Sequence, residues 1–175
     1  MPTQITVLGT CHFIQGCEHS SVRIEDPDYA KVLKVVVESE KLDFIFEEAA
    51  ETGSTIAKTL ASDFRLRGYR DVDPGREERR ALGIPEETGE SWPVDPVGDC
   101  RESLHWQAVE AHAMREELWA RRIVECQFAS GLLICGISHS LSMAFRLEKL
   151  GFTVKVAVYE PHCKICDGLR RIGLA

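Results

Sequence analysis

Residues 132–159 read LLICGISHSLSMAFRLEKLGFTVKVAVY, and their pattern decides the fold class. The stretch begins with an apolar run, 132–137, which has the length and composition of a buried strand. A segment with apolar residues at helical spacing follows and ends at Gly151. A second apolar run, 154–159, comes next. Strand, helix and strand in this order predict two parallel strands joined by a helix.

The rest of the chain continues this alternation. Three further apolar runs predict strands, at 5–8, 44–46 and 69–72. Three other segments predict helices: the first is opened by Asp26-Pro27, the second is capped by Ser54, and the third covers 102–127. We therefore predict an α/β fold in which residues 1–175 form a single domain, with a mainly parallel sheet and helices on both faces. A loop over 83–99 and a tail over 160–175 complete the predicted organisation.

The composition and the net charge limit the classes of binding partner that we expect. The 175 residues are 44% hydrophobic and 28% charged, as in globular domains, and the net charge is −7. An acidic chain has no general attraction for nucleic acid or for an anionic membrane. No apolar stretch approaches the roughly 20 residues that span a bilayer, and the first residues lack the pattern of a signal peptide. We expect a cytoplasmic protein that acts on a small molecule or a peptide.

Seven cysteines, an odd number, argue against a disulfide framework. Cys126 and Cys135 lie in apolar runs and are expected in the core. Cys163 and Cys166 form a single C-x-x-C pair near the end of the sequence. A structural zinc site needs two more ligands, and no second pair stands nearby. We interpret this pair as two thiols of the tail that can capture metal incidentally.

Polar residues follow the predicted strands directly. The first strand is followed by Gly9-Thr10-Cys11-His12, the second by Glu47-Glu48, the third by Asp71 and Asp73, and the fourth by Ser138-His139. In open α/β sheets the ligand site lies at the carboxyl ends of the strands, so these groups are expected to converge. Two imidazoles and a carboxylate form a three-ligand set for a divalent metal. The alternative is that each group is an ordinary polar residue at a solvated edge.

Two other arrangements compete with the metal hypothesis. The segment 136–140, GISHS, approaches the G-x-S-x-G nucleophile elbow, but Ser140 replaces the last glycine and no aspartate lies between Ser138 and His162. His105 and His112 share a face of the long helix but lie about 10.5 Å apart along it, too far to share an ion. One of them could still reach the carboxyl ends of the strands and contact a metal ligand without binding the metal itself.

Four segments in order resemble a known superfamily. They are Gly9-Thr10-Cys11-His12, the strand ending Asp43-Phe44-Ile45-Phe46-Glu47-Glu48, the helical segment 115–123 (REELWARRI), and Gly136-Ile137-Ser138-His139 followed by a helix and a last strand. The chain is similar in these segments to TraB/TIKI-type proteins, erythromycin-esterase-like enzymes and ChaN-like haem-binding proteins. Trp119 stands where that superfamily usually has methionine. The resemblance implies a role for Arg115, either in holding a carboxylate ligand or in binding a substrate oxyanion.

We therefore predict metal-dependent hydrolysis of amide or ester bonds. His12, His139 and Glu48 are the expected ligands of a divalent metal ion. Glu47 or Glu48 is the expected base that activates water, and Arg115 orients the carboxylate or stabilises the oxyanion. The alternative function is a protein that binds a metal, haem or another small ligand on the same cleft without catalysis, and a third is an inactive scaffold.

Overall fold

A computed structural model of the chain describes residues 3–10, 28–49, 55–85 and 102–159, with side chains from residue 109 onward in the last range. Five strands form one sheet in which every pairing is parallel. Their order across the sheet is β3-β2-β4-β1-β5. Their bounds are Gln4–Thr10 (β1), Phe44–Glu47 (β2), Gly68–Asp71 (β3), Ser130–Gly136 (β4) and Thr153–Tyr159 (β5).

Five helices are described between these strands. Their bounds are Tyr29–Ser39 (α1), Ile56–Asp63 (α2), Arg76–Ala81 (α3), Glu102–Val124 (α4) and Ile137–Lys149 (α5). None of the described helices is long and apolar enough to cross a bilayer. The predicted α/β class, with a parallel sheet, is confirmed.

The sheet has a separate apolar core on each face, because side chains alternate along each strand. On one face, Ile45, Leu132 and Ile134 pack with Leu33 of α1 and Ala57 of α2. The core of the opposite face holds Phe46, Leu133 and Cys135 from the sheet, Trp119 and Ile123 from α4, and Met143 and Leu147 from α5. Helices therefore cover both faces, and the central strands are buried on both sides as predicted.

The strand β5 departs from that expectation. It lies at the edge of the sheet, and none of its residues is fully buried. Val156 and Val158 are 43% and 52% exposed. The predicted strand at 154–159 is confirmed, but it is not buried on both sides, because β5 has β1 as its one described neighbour.

Helix boundaries also differ from the sequence-based ones. The helix α1 begins at Tyr29, with Asp28 at its N-cap position, and the predicted opening at Asp26-Pro27 lies outside the described residues. Thr55 caps α2 by accepting a hydrogen bond from the Lys58 backbone N–H, where Ser54 was predicted; Ser54 also lies outside the described part. The short helix α3 was not predicted. Most of the predicted loop 83–99 and the tail 160–175 are likewise not described.

Candidate functional site

Glu47 and Glu48 lie on opposite faces of the sheet. Glu47 is the last residue of β2 and Glu48 follows it, and both are buried, with 1% and 2% of their surfaces exposed. Glu47 is hydrogen-bonded to Thr55 at the start of α2 and to Tyr69 of β3. Glu48 instead contacts Arg115 of α4. The alternation of side chains along an extended chain thus separates two glutamates that are neighbours in the sequence.

Both oxygens of Glu48 have partners. Oε1 is paired with the Arg115 guanidinium, and Oε2 accepts a hydrogen bond of 2.7 Å from the Gly136 backbone N–H. Gly136 is the last residue of β4, so Glu48 connects the ends of two neighbouring strands. The carboxylate is consequently held in one orientation, with its charge balanced inside the protein.

Asp73 is the second carboxylate of this buried cluster. Its Oδ1 accepts hydrogen bonds from Arg115 Nε at 2.9 Å and from Trp119 Nε1 at 3.1 Å, and its Oδ2 is paired with Arg79 of α3. Burial raises the pKa of Asp73, and the two guanidinium groups oppose that rise. Together with Glu48, two carboxylates thus face two guanidinium groups, and these four formal charges balance.

His139 lies on α5 and faces α4. Its Nδ1 is 2.9 Å from Glu116 Oε1, and that carboxylate also accepts hydrogen bonds from Ser142 and Arg146. Burial alone raises the pKa of Glu116, but the hydrogen bonds from His139, Ser142 and Arg146 together with the attraction of His139 outweigh it, so this pKa lies below its usual value. An ionised carboxylate only accepts, so Nδ1 carries the proton and Nε2 is the basic position of the ring.

Nε2 of His139 is directed toward Glu48. The distance from Nε2 to Glu48 Oε1 is 3.8 Å, beyond a direct hydrogen bond. Two aromatic rings pack against the imidazole: Trp119 edge-on at 4.9 Å between centroids, and the half-buried His112 at 4.4 Å. The hypothesis that one helix histidine reaches this edge of the sheet therefore agrees with the position of His112.

His139 lies in a helix and not in a loop after β4. Strand β4 ends at Gly136 and α5 begins at once with Ile137, so His139 is in the first turn of the helix and is 1% exposed. Gly9 of β1 makes this close approach of the helix possible. A Cβ atom at Gly9 would lie 3.0 Å from Ser140 Cβ and 3.3 Å from Ile137 Cα.

Glu47 has surroundings of a different kind. Thr55 Oγ1 and Tyr69 OH donate hydrogen bonds of 2.6 and 2.7 Å to the same oxygen of its side chain. Burial raises the pKa of Glu47 from 4.5 to about 7, although both hydrogen bonds lower it. This carboxyl is screened from His139 and Arg115 by the sheet, and its contacts join α2 to the sheet.

The structure brings together three of the predicted site residues: Glu48, Arg115 and His139. Glu47 lies on the other face, and His12 lies outside the described residues, as do Cys163 and Cys166. Within the described ranges, no group of three His, Cys, Asp or Glu side chains is arranged to hold a metal ion. The predicted set of His12, His139 and Glu48 includes an undescribed member and stays a prediction.

Sequence reasoning missed two members of the cluster and named a third without assigning it a role. Glu116 and Arg79 had no distinguishing signal except that Glu116 follows Arg115 in the helical segment of the resemblance. Asp73 was noted at a strand end. Its contact with Arg115 spans 42 positions of the sequence, and no local pattern reports such a pairing.

No family model, curated protein or solved structure matches this chain. The similarity to TraB/TIKI-type, erythromycin-esterase-like and ChaN-like proteins rests on the four quoted segments and stays a prediction. In the structure, Arg115 of the third segment contacts Glu48, which is itself 3.8 Å from Nε2 of His139.

Proposed function

We propose that the chain hydrolyses amide or ester bonds at the carboxyl ends of β2 and β4, with His139 and Glu48 as its central pair. The observation that carries this proposal is the orientation of His139. Glu116 holds the Nδ1 side of the ring at 2.9 Å, and Nε2 is left directed toward a second carboxylate at 3.8 Å. A carboxylate behind a histidine fixes the tautomer and the orientation of the ring.

The donor atoms of this pair fit part of a site for a divalent ion. A separation of 3.8 Å is within the span of two donors that each lie about 2.0–2.2 Å from a zinc ion. The Glu116–His139 hydrogen bond is the contact that metal-bound histidines usually make with their other nitrogen. His12 is the third proposed ligand. A divalent ion bound there would lower the pKa of a water molecule and polarise a carbonyl.

The residues of the chain then have separate roles. Nε2 of His139 would hold the metal ion, and Glu116 keeps the ring in position through Nδ1. Glu48 is the ligand or base of the sequence-based prediction. Arg115 orients Glu48, because its guanidinium is shared between Glu48 and Asp73. This sharing favours the orienting role of Arg115 over direct binding of an oxyanion.

Turnover of activated esters and short peptides by the protein loaded with zinc or manganese tests the proposal. We expect Glu48→Gln to lower turnover by about 100-fold to 10,000-fold, the usual effect of removing a general base or its equivalent. Glu47→Gln changes a carboxyl on the other face and is expected to lower turnover far less. Equal losses in the two variants would contradict the assignment of Glu48.

A matched pair on α4 tests the role of Glu116. Glu116→Gln replaces the ionised acceptor of the Nδ1 proton, so we expect a lower kcat and a displaced pH profile of kcat/KM. Glu117→Gln changes the next residue, which is 51% exposed and paired with Arg121 and Arg146, and should behave as wild type. Unchanged pH profiles in both variants would remove His139 from the mechanism.

One observation favours the alternative of a binding protein. Both oxygens of Glu48 are already engaged, by Arg115 and by the Gly136 N–H, so fewer of its lone pairs are left to accept a proton from water than in an open carboxylate. Titration with a divalent metal or haem distinguishes the two functions, in a Cys163→Ser/Cys166→Ser background that removes the thiols of the tail. Saturation at one site without turnover of any substrate supports binding. The absence of both turnover and saturation contradicts both functions.

A further inference from the structure

The outer edge of β5 combines the features of a pairing surface. The strand has seven residues, Thr153–Tyr159, and among the described strands it pairs with β1 alone. It contains no proline and no acidic residue. Lysines on edge strands often prevent pairing with another strand. Lys155, however, is paired with Glu40 at 2.7 Å, which balances its charge. Little in this strand therefore opposes its pairing with another strand.

An exposed apolar surface lies beside this edge. Val156 and Val158 are on the face of β5 that α5 covers, since their β1 partners Val7 and Gly9 face that helix. On α5, Leu141 and Phe145 are 74% and 58% exposed. The helix contacts α4 through Ser142 and Arg146, which lie about 100° around the helix axis from Leu141 and Phe145. We call these four exposed apolar residues, Leu141, Phe145, Val156 and Val158, the edge patch.

We propose that the edge patch and β5 form the interface of a two-fold symmetric dimer, in which the β5 strands of two copies pair antiparallel and join two five-stranded sheets. A two-fold axis requires an antiparallel arrangement of two identical strands. If the axis passes through Val156, all seven residues of β5 are paired. Val154 then lies opposite Val158 of the second copy, and Lys155 lies opposite Ala157.

The charges of the strand agree with this register. An axis at Lys155 would place the two lysines opposite each other, which is destabilising in a sheet, whereas the axis at Val156 separates them. The same register collects the valines of both copies on the face that carries Leu141 and Phe145. The sequence of β5 is thus complementary to itself, and this favours a second copy over an unrelated strand as the occupant.

The available area sets the expected affinity. The edge patch offers roughly 400 Å² of apolar surface per copy, judged from the sizes of its side chains. Two copies and the paired backbone together bury about 1,000 Å², at the lower limit for specific interfaces. We therefore expect a reversible dimer with a dissociation constant on the order of micromolar.

Sedimentation velocity on the full chain, from about 1 µM to about 200 µM, tests this inference. The expected result is a rise from the monomer mass of 19.6 kDa toward twice that value. Val156→Lys places two ammonium groups at the axis and should keep the protein monomeric. Val35→Lys is the matched control, because Val35 is a 61% exposed valine on α1 and should leave dimerisation unchanged.

A mixing experiment tests the register itself. Val156→Asp should also be monomeric alone, and an equimolar mixture with Val156→Lys should dimerise, because aspartate then lies opposite lysine. Circular dichroism checks that both variants are folded, which is expected since Val156 is 43% exposed. A wild-type monomer at all concentrations, or a Val156→Lys variant that dimerises as wild type does, overturns the dimer. Monomeric variants that fail to combine overturn the register. None of these outcomes depends on the proposed hydrolase activity.

Discussion

Glu47 is the residue whose ionisation should be most visible in the stability of the protein. Its pKa is raised from 4.5 to about 7 in the folded chain by burial. Between these two pH values the folded state retains a proton that the unfolded state has released. The contribution of Glu47 to the free energy of unfolding therefore falls as the pH rises through this window, and it stops falling above about pH 7.

We expect Glu47→Gln to remove this dependence. The difference in unfolding free energy between wild type and variant should change by about 3 kcal/mol across the window, in the direction that disfavours the wild type at higher pH. Urea denaturation of both proteins at a series of pH values measures it. Other titrating groups are common to the two proteins and cancel in the difference. Parallel pH profiles would show that Glu47 is not protonated in the folded chain.

Individual site residues also show which part of the candidate site can be predicted from the sequence. Glu48, Arg115 and His139 were identified from strand ends and from the four-segment resemblance. The choice between Glu47 and Glu48 stayed open, because a one-residue difference in where β2 becomes extended exchanges the two faces of the sheet. Asp73 and Glu116 depend on contacts between distant segments, which no local pattern contains.

At the scale of elements, the junction of β4 with α5 depends on the glycine of a neighbouring strand. A methyl group at Gly9 would meet Ser140 Cβ at 3.0 Å and Ile137 Cα at 3.3 Å, so the first turn of α5 would have to move away from β1. We expect Gly9→Ala to lower the free energy of unfolding by about 1–3 kcal/mol, the usual cost of overpacking a close contact.

A double-mutant cycle identifies the contact responsible. Ser140→Gly removes the nearest atom, so it should cost less in the Gly9→Ala background than in the wild type. Chemical denaturation of the four proteins gives the coupling. Additive effects of the two substitutions would mean that the strain arises elsewhere.

Elements were easier to predict than their ends. The alternation of apolar runs with helical spacing is a local property, so each of the five strands in the described residues was identified. Ile137 was assigned to the strand because it continues the apolar run, although in the structure it is the first residue of α5. The helix α3 was not predicted because its six residues, Arg76–Ala81, are almost all charged and show no apolar residues at helical spacing.

At the scale of the whole molecule, Arg115 attaches the helical layer to the sheet. From α4 it reaches Glu48 after β2 and Asp73 after β3. Removing one partner of a buried ionic group leaves charges without compensation, which typically costs about 3–5 kcal/mol. We expect Arg115→Met to destabilise the protein by about this amount at neutral pH and by less in mild acid, where the orphaned carboxyls take up protons.

Arg121→Met on the same helix is the control. Arg121 is 70% exposed and paired with the exposed Glu117, so its removal should change the free energy of unfolding by less than about 1 kcal/mol. Urea denaturation of both variants in neutral and mildly acidic buffer measures the contrast. Similar losses for Arg115→Met and Arg121→Met would show that the buried cluster does not fasten α4 to the sheet.

The strand order has a consequence for synthesis on the ribosome. β4 lies between β1 and β2, although both of those strands leave the ribosome long before it does. Until β4 emerges, the edges of β1 and β2 that it will occupy have no native partner, and unpaired edges of this kind are prone to aggregation. The centre of the sheet can therefore close only late in translation, so a nascent chain stalled before Ser130 would be a natural client for chaperones.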